Sequence, residues 1–233
     1  MKLSEPIRKK SILLFVLAEL VLYIPILSAG GQTAQWCSYS SIVLCFLFSG
    51  LHLHRNRALI TAGLACTVGA DYCLVVCLPR QQLWGMLFFL CAQTMYALYL
   101  HRQHRGRWLL ILRLALTAGA VAVAVAVLGT KTDLLALVSV CYYANLICNL
   151  VTAVAAGRKD ALLAAGFALF LLCDTVIGLQ EMSRGYLALD PDTLLYRVLF
   201  MAFPLAWFFY LPSQVCIALY SAMDKSSPHR AEE

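Results

Sequence analysis

Charge is scarce in this sequence. Asp, Glu, Lys and Arg make up 13% of its 233 residues, against about a quarter in soluble domains. No polar stretch between the apolar blocks is long enough for a soluble domain. Histidine is missing from the interior of every block: the five are His52, His54, His101, His104 and His229. That excludes a transmembrane b-type haem, which needs axial histidines inside the bundle, and a Ser–His intramembrane protease. No mid-block lysine is available for a retinal-type Schiff base, and no Gly-rich phosphate loop occurs. The ten cysteines form no CxxC pair and meet no histidine at ligand spacing. Neither a disulfide framework nor a metal site is expected, and Cys73 and Cys77, one turn apart, read as small buried apolar residues. His101 and His104 are spaced for a metal pair, but Arg102 and Arg105 beside them argue for a solvated basic loop.

What is abundant is apolar sequence, 62% of the chain, arranged in long runs. A helix needs about 20 apolar residues to cross a bilayer. Eight candidates follow, at about 11–29, 35–51, 58–78, 83–100, 108–128, 133–155, 161–181 and 202–222. The first reads as a membrane span rather than a cleaved signal. Residues 1–233 are expected to form one all-α integral membrane domain, an eight-helix bundle. "DTLLYRVLF", before the last span, suggests an interfacial turn of helix. Pro204 and Pro212 are expected inside the last helix, as kinks. Asp133 and Asp160 precede spans and look like N-caps.

The net charge of +6 does not indicate a nucleic-acid partner, because the basic residues sit in short clusters between spans. On one side lie Lys2, Arg8, Lys9, Lys10, Arg55, Arg57, Arg102, Arg105, Arg107, Arg158, Lys159, Lys225 and Arg230. On the other lie Arg80, Lys131, Arg184 and Arg197. The positive-inside rule then places both termini in the cytoplasm of a multi-pass cell-membrane protein.

Three carboxylates interrupt the apolar runs: Glu19, Asp71 and Asp174. A charge at the bilayer centre costs about 2.5–3.5 kcal/mol on insertion scales. Asp71 and Asp174 follow the starts of their spans, Ala58 and Ala161, by the same interval, so each lies about 20 Å from the cytoplasmic surface at 1.5 Å per residue. The third and seventh spans run in the same direction, which puts both aspartates at one level. Each has a glycine two turns earlier, Gly63 and Gly166, suited to close helix approach. No intramembrane Lys or Arg can pair both aspartates; Arg113 is the nearest candidate, near the cytoplasmic end of its helix.

Glu19 is about 12 Å up the first span and either faces the same cavity or is a structural hydrogen-bond partner. Gln93, Tyr96, Tyr142, Tyr143, Asn145, Asn149, Tyr210, Ser213 and Gln214 reach the same zone, each a pocket residue or interhelical glue. Two carboxyls in a low-dielectric site do not both ionise cheaply, so one keeps its proton and serves as an acid while the other stabilises a cation or orients water. Such a pair serves acid-catalysed ether cleavage or proton-coupled transport, and spacing alone does not choose.

Five stretches carry a resemblance. They are "CTVGADYCLVV", "GMLFFLCAQTMYALYL", "VCYYANLICNLVTAVAAG", "GFALFLLCDTVIGL" and "FYLPSQVCIAL". In this order they resemble the YhhN-type integral membrane proteins, which include the lysoplasmalogenases, over about residues 10–222. The resemblance implies hydrolysis of the vinyl ether bond of a lysophospholipid substrate within membrane lipid, without metal or organic cofactor. It implies Asp71 and Asp174 as the catalytic pair, with Tyr96, Tyr142, Tyr210 and Gln214 lining the pocket. Glu19, Gln93 and Asn145 join the candidate substrate-binding set from their depth. The pocket is expected between the third and seventh helices. A proton-coupled carrier or a non-catalytic binder of lipids is the alternative. Oligomeric state is not legible.

Overall fold

In hydrocarbon no water is available to the backbone, so a spanning segment must satisfy its own N–H and C=O groups. The computed structural model describes residues 5–104, 106–185 and 189–223; Lys2, Arg105, Lys225, His229 and Arg230 lie outside these. Among the described residues the chain answers with helices alone: α1 (Glu5–Ser28), α2 (Gly31–Leu51), α3 (Ala58–Asp71), α4 (Gln82–Gln103), α5 (Arg107–Leu128), α6 (Leu134–Ala155), α7 (Ala161–Gly185), α8 (Leu194–Leu199) and α9 (Leu205–Ala222). Eight spans among these residues are long and apolar enough to cross a membrane; α8 is not among them, and the third span, Arg55–Val76, is α3 continued by the turns that flank it. The chain is a multi-pass membrane protein.

Successive spans alternate in direction. The α2–α3, α4–α5 and α6–α7 connections share one end of the bundle with the start of α1 and the end of α9. Arg55, Arg57, Arg102, Arg158 and Lys159 mark this basic face; the opposite end is the far face. Exposed Trp36 and Trp84 stand at the starts of α2 and α4 on the far face, and exposed Trp108 at the start of α5 on the basic face, as interfacial tryptophans do.

Several boundaries differ from expectation for local reasons. α1 is already helical at Glu5, ahead of the expected residue 11, and there Glu5 pairs with Lys9 at 3.0 Å. Pro204 caps the start of α9 rather than lying inside it, while Pro212 is internal; proline lacks an N–H, and a helix start does not need one. The expected interfacial turn is α8, capped by Thr193 and tied to α7 by Gln180 Nε2, which donates to Leu199 O at 2.5 Å. Asp133 caps α6 by accepting from Ala136 N at 2.7 Å.

The most extensive interfaces are those of α7 with α9, α3 with α4 and α4 with α6. α3 and α7 share no comparable interface, because α9 packs on both. The two aspartate-bearing helices are joined through their neighbours: α4 packs on α3, α6 on α7, and α9 on both. The two glycines work differently. A Cβ on Gly166 would come within 3.1 Å of the Ser213 carbonyl and 2.9 Å of Ile217, so this glycine admits the α9 backbone. At Gly63 a Cβ would meet the Tyr96 ring at 2.2 Å, so that glycine admits an aromatic side chain. α5 is peripheral, with no buried residue in its most apolar stretch.

Asp160, expected to be an N-cap from its place just before α7, has further partners. It is wholly buried, bonded to His104 Nε2 at 2.9 Å and accepting from Tyr220 Oη. Tyr99 Oη lies 2.7 Å from Tyr220 Oη. Buried Arg57 sits over the Tyr220 ring at 4.5 Å and donates to the carbonyls of Tyr220 and Met223. This layer ties the basic-face ends of α3, α4, α7 and α9, and His104 reaches into it from a stretch whose other members, His101, Arg102 and Gln103, are exposed. His52 is likewise buried, with Ser11 Oγ at 2.9 Å and the Phe48 carbonyl at 3.0 Å.

Two outcomes follow. A reporter fused at the N-terminus and one inserted after Lys131 should report opposite sides of the membrane; identical reports would contradict the odd number of spans between them. Asp160→Ala should cost about 3–5 kcal/mol by stripping a buried polar layer of its acceptor, read as a lowered melting temperature in detergent, with Asp160→Asn milder.

Candidate functional site: two carboxyls held by tyrosines

Asp71 is the last α-helical residue of α3. Beyond it the backbone widens into a π-helical turn over Tyr72–Val76, closed by Cys77 N bonding to Tyr72 O at 2.9 Å. The widened turn leaves carbonyls that the regular ladder would have used. Gln35 of α2 donates its side-chain amide to Val75 O, and Gln81 N reaches Cys73 O at 3.0 Å. π-Turns inside helices are frequent at functional sites, and this one begins beside the buried carboxyl.

Asp71 is 3% exposed. Tyr210 of α9 donates its hydroxyl to Asp71 Oδ2 at 2.6 Å. Asp174, in the middle of α7, is half-buried and accepts from the hydroxyl of Tyr142 on α6. The two carboxyls lie within electrostatic range of each other. The shared depth read by counting residues is matched from the opposite direction: Tyr142 and Tyr210, counted back from the basic-face ends of α6 and α9, also lie about 18–20 Å up.

Phe170 stands one turn before Asp174 on the same face of α7. Its ring meets Tyr210 at 5.3 Å, Phe89 at 5.7 Å and Tyr142 at 6.3 Å. Phe89 meets Tyr142 at 5.6 Å and Tyr210 at 6.3 Å. Four helices thus contribute one ring each to an aromatic floor, and the two carboxyls are carried by the phenol groups of that floor. Among the described residues no Lys or Arg bonds either aspartate, and no three of His, Cys, Asp and Glu come together as metal ligands.

The other candidate residues fall into separate groups. Glu19 is buried between α1 and α2, accepting from Ser41 Oγ at 2.5 Å and from Cys45 Sγ at 3.4 Å. Asn145 accepts from Arg113 Nη1 at 2.6 Å, and Asn149 accepts from Arg113 Nη2 at 2.7 Å. Asn149 Nδ2 donates to Gln93 Oε1 at 2.8 Å and to Gln93 O at 2.9 Å. Tyr143 pairs with Thr175 at 2.8 Å. Tyr96 is two turns nearer the basic face than Phe89, with its ring 5.4 Å from Phe167. Gln214 Nε2 reaches Ser213 Oγ at 3.2 Å. The buried atoms Gln93 Nε2, Tyr96 Oη and Gln214 Oε1 have no protein partner.

Phe89 and Phe170 were not picked out as site residues from sequence. The i−4 spacing of Phe170 to Asp174 was the available signal. Phe89 lies in the stretch "GMLFFLCAQTMYALYL" that carries the resemblance, but which face of α4 turns toward α7 depends on tertiary packing.

Compared with known proteins, residues 32–221 match the model of the YhhN family. No curated protein and no solved structure matches.

Removing one hydroxyl tests the geometry. Tyr210→Phe leaves a buried carboxyl without its donor and should cost about 1–3 kcal/mol, visible in a thermal melt. Tyr23→Phe, which deletes a 2.9 Å bond to Phe208 O at the exposed rim, should cost less than about 0.5 kcal/mol.

Proposed function

The chain belongs to the YhhN family, and from that premise we propose that it hydrolyses the vinyl ether bond of lysoplasmalogens, releasing a fatty aldehyde and a glycerophospho-alcohol. The observation that carries this reading is the tyrosine-held pair Asp71 and Asp174, with no basic partner bonded to either among the described residues. The resemblance of the surrounding motifs to the lysoplasmalogenases supports it.

The chemistry suits the site. A protonated carboxyl donates to the alkene carbon remote from the ether oxygen, and the alkene π electrons form the new C–H bond. The adjacent carbon becomes part of an oxocarbenium ion. The second carboxylate stabilises that cation, and the ring faces of Phe89 and Phe170 add their negative quadrupoles. Water attacks the oxygen-bearing carbon and loses a proton to the carboxylate. The resulting hemiacetal collapses, its C–O bond breaking as the alcohol oxygen takes a proton, to give aldehyde and alcohol. Enol ethers are open to this route because protonation on carbon yields an oxygen-stabilised cation; saturated ethers are not. Tyr142 and Tyr210 would hold the carboxyls at fixed angles, and half-buried Asp174 would be the more accessible of the two.

Both termini would lie in the cytoplasm, following the concentration of Lys and Arg on the basic face. A carrier moving protons and an amphiphile would use the same carboxyls without breaking a bond.

Mass spectrometry of purified protein with an alkenyl lysophospholipid and its saturated ether twin tests the proposal. Aldehyde should appear from the first alone. Asp71→Asn and Asp174→Asn should each lower turnover by about a hundredfold or more while the protein still folds. Retention of more than about a tenth of the rate would remove that aspartate from the acid–base role. Accumulation of intact lipid inside proteoliposomes, with no aldehyde, would favour the carrier.

A further inference from the structure

Arg113 has no place in the proposed chemistry, and its surroundings need explaining. It sits on α5, five residues beyond the interfacial Trp108 and so about 7.5 Å deeper in the membrane. The side chains of a helix lean toward its N-terminus, and for α5 that is the basic face. A free arginine there would extend its guanidinium outward to headgroups and water. This one is held instead. Nη1 donates to Asn145 Oδ1 at 2.6 Å and Nη2 to Asn149 Oδ1 at 2.7 Å. Those asparagines lie about 15 and 9 Å along α6 from its basic-face end at Ala155, so the charge is kept at depth.

Both partners are neutral amides, and no carboxylate among the described residues bonds the guanidinium. Nε and one hydrogen on each Nη remain to be used, since a guanidinium has five donors. Arg113 is half-buried, so an anion can reach it from the lipid side. Next to it, Asn149 holds Gln93, whose buried Nε2 is a further donor without a protein partner. A fixed, uncompensated cation with spare donors in a plane matches a phosphate, which guanidinium binds bidentately.

The position relates this cluster to the aspartates. Tyr142, Asn145 and Asn149 follow one another along one stripe of α6 at i, i+3 and i+7. The midpoint of the two asparagines is about 7.5 Å along the helix from Tyr142, which holds Asp174. That rise is comparable to the extended glycerol unit between a lysophospholipid's phosphate and its ether oxygen.

We propose that Arg113, pinned by Asn145 and Asn149, is the phosphate-recognition residue for a lysophospholipid whose ether end lies toward the Asp71–Asp174 pair. The identity of this lipid as substrate rests on the hydrolase reading; its binding through phosphate does not.

The test uses the full chain in nanodiscs and two non-reacting probes, a saturated alkyl ether lysophospholipid and the phosphate-free alkyl glycerol of the same chain length, with affinities from native mass spectrometry. Wild type should bind the phosphate-bearing probe more tightly by about tenfold or more, and Arg113→Gln should abolish that preference. Arg113→Lys, which keeps the charge but loses the fork, should retain part of it. Equal wild-type affinity for the two probes overturns the proposal even if Arg113→Gln fails to fold, and so does an undiminished preference in a folded Arg113→Gln. Inorganic phosphate binding as tightly as the ether lysophospholipid would overturn a lipid as its source. Phosphate preference without cleavage of the alkenyl lipid sinks the hydrolase reading and leaves the Arg113 site standing. Cleavage without phosphate preference does the reverse.

Discussion

Two tyrosine hydroxyls, each carried across a helix gap to a carboxyl inside the membrane, set the terms for the bundle. A carboxyl at that depth without a donor would be costly enough to force its helix to reorganise. Tyr210 reaching Asp71 commits α9 to lie against α3, and Tyr142 reaching Asp174 commits α6 to lie against α7. α9 must also approach α7 closely, which Gly166 allows by leaving room for the backbone around Ser213. The aromatic floor is the apolar side of the same arrangement: the phenol rings that present the hydroxyls are the ones that stack on Phe89 and Phe170.

At the basic face a second polar layer works on the opposite principle. Asp160 has His104 beside it, a charge-capable partner, and Arg57 is bound to backbone carbonyls and an aromatic ring. Its groups are locked by mutual contact, and it joins the ends of α3, α4, α7 and α9, the helices that hold three of the four members of the tyrosine–aspartate pairs. A rigid frame at one end and a carboxyl pair without cations nearer the other is an economical division. Chemistry that moves protons needs groups whose ionisation is not pinned by a salt bridge, yet whose positions are held to within a fraction of an ångström.

Much of this was legible by counting. The spans follow from apolar run length, and the shared level of Asp71 and Asp174 from equal distances to the starts of their helices. The roles of other polar residues were not, because depth alone does not say which face of a helix a neighbour covers. Tyr142, Tyr96 and Asn145 all read as pocket candidates at one depth, and only the packed structure turns them to Asp174, to Gly63 and to Arg113 respectively. Asp160 stands just before a helix, where an N-cap is the local expectation; only the folding of Tyr220 and His104 over it makes it a buried acceptor. The continuous helix read across 58–78 hid the π-turn, since nothing in "ADYCLVV" forbids α-helix. The turn persists where Gln35 of another helix repairs its backbone. In each case the missing information was a partner far away in sequence.

α6 shows how one helix can connect these demands. Its N-terminus is capped by Asp133, it carries the phenol that holds Asp174, and a turn further along the stripe its amides hold Arg113. A helix is stiff over this distance, so the spacing between the tyrosine and the two asparagines is fixed by backbone geometry. α4 backs the same stripe with Phe89 against Tyr142 and Gln93 against Asn149, which keeps the stripe from rotating. An anion at Arg113 and a reacting bond at Asp174 would then be measured against a common ruler. Discrimination by length and by charge would come from one rigid element and not from the lipid-facing surface, which is apolar throughout α5 around Arg113 and offers an approaching lipid little to choose between.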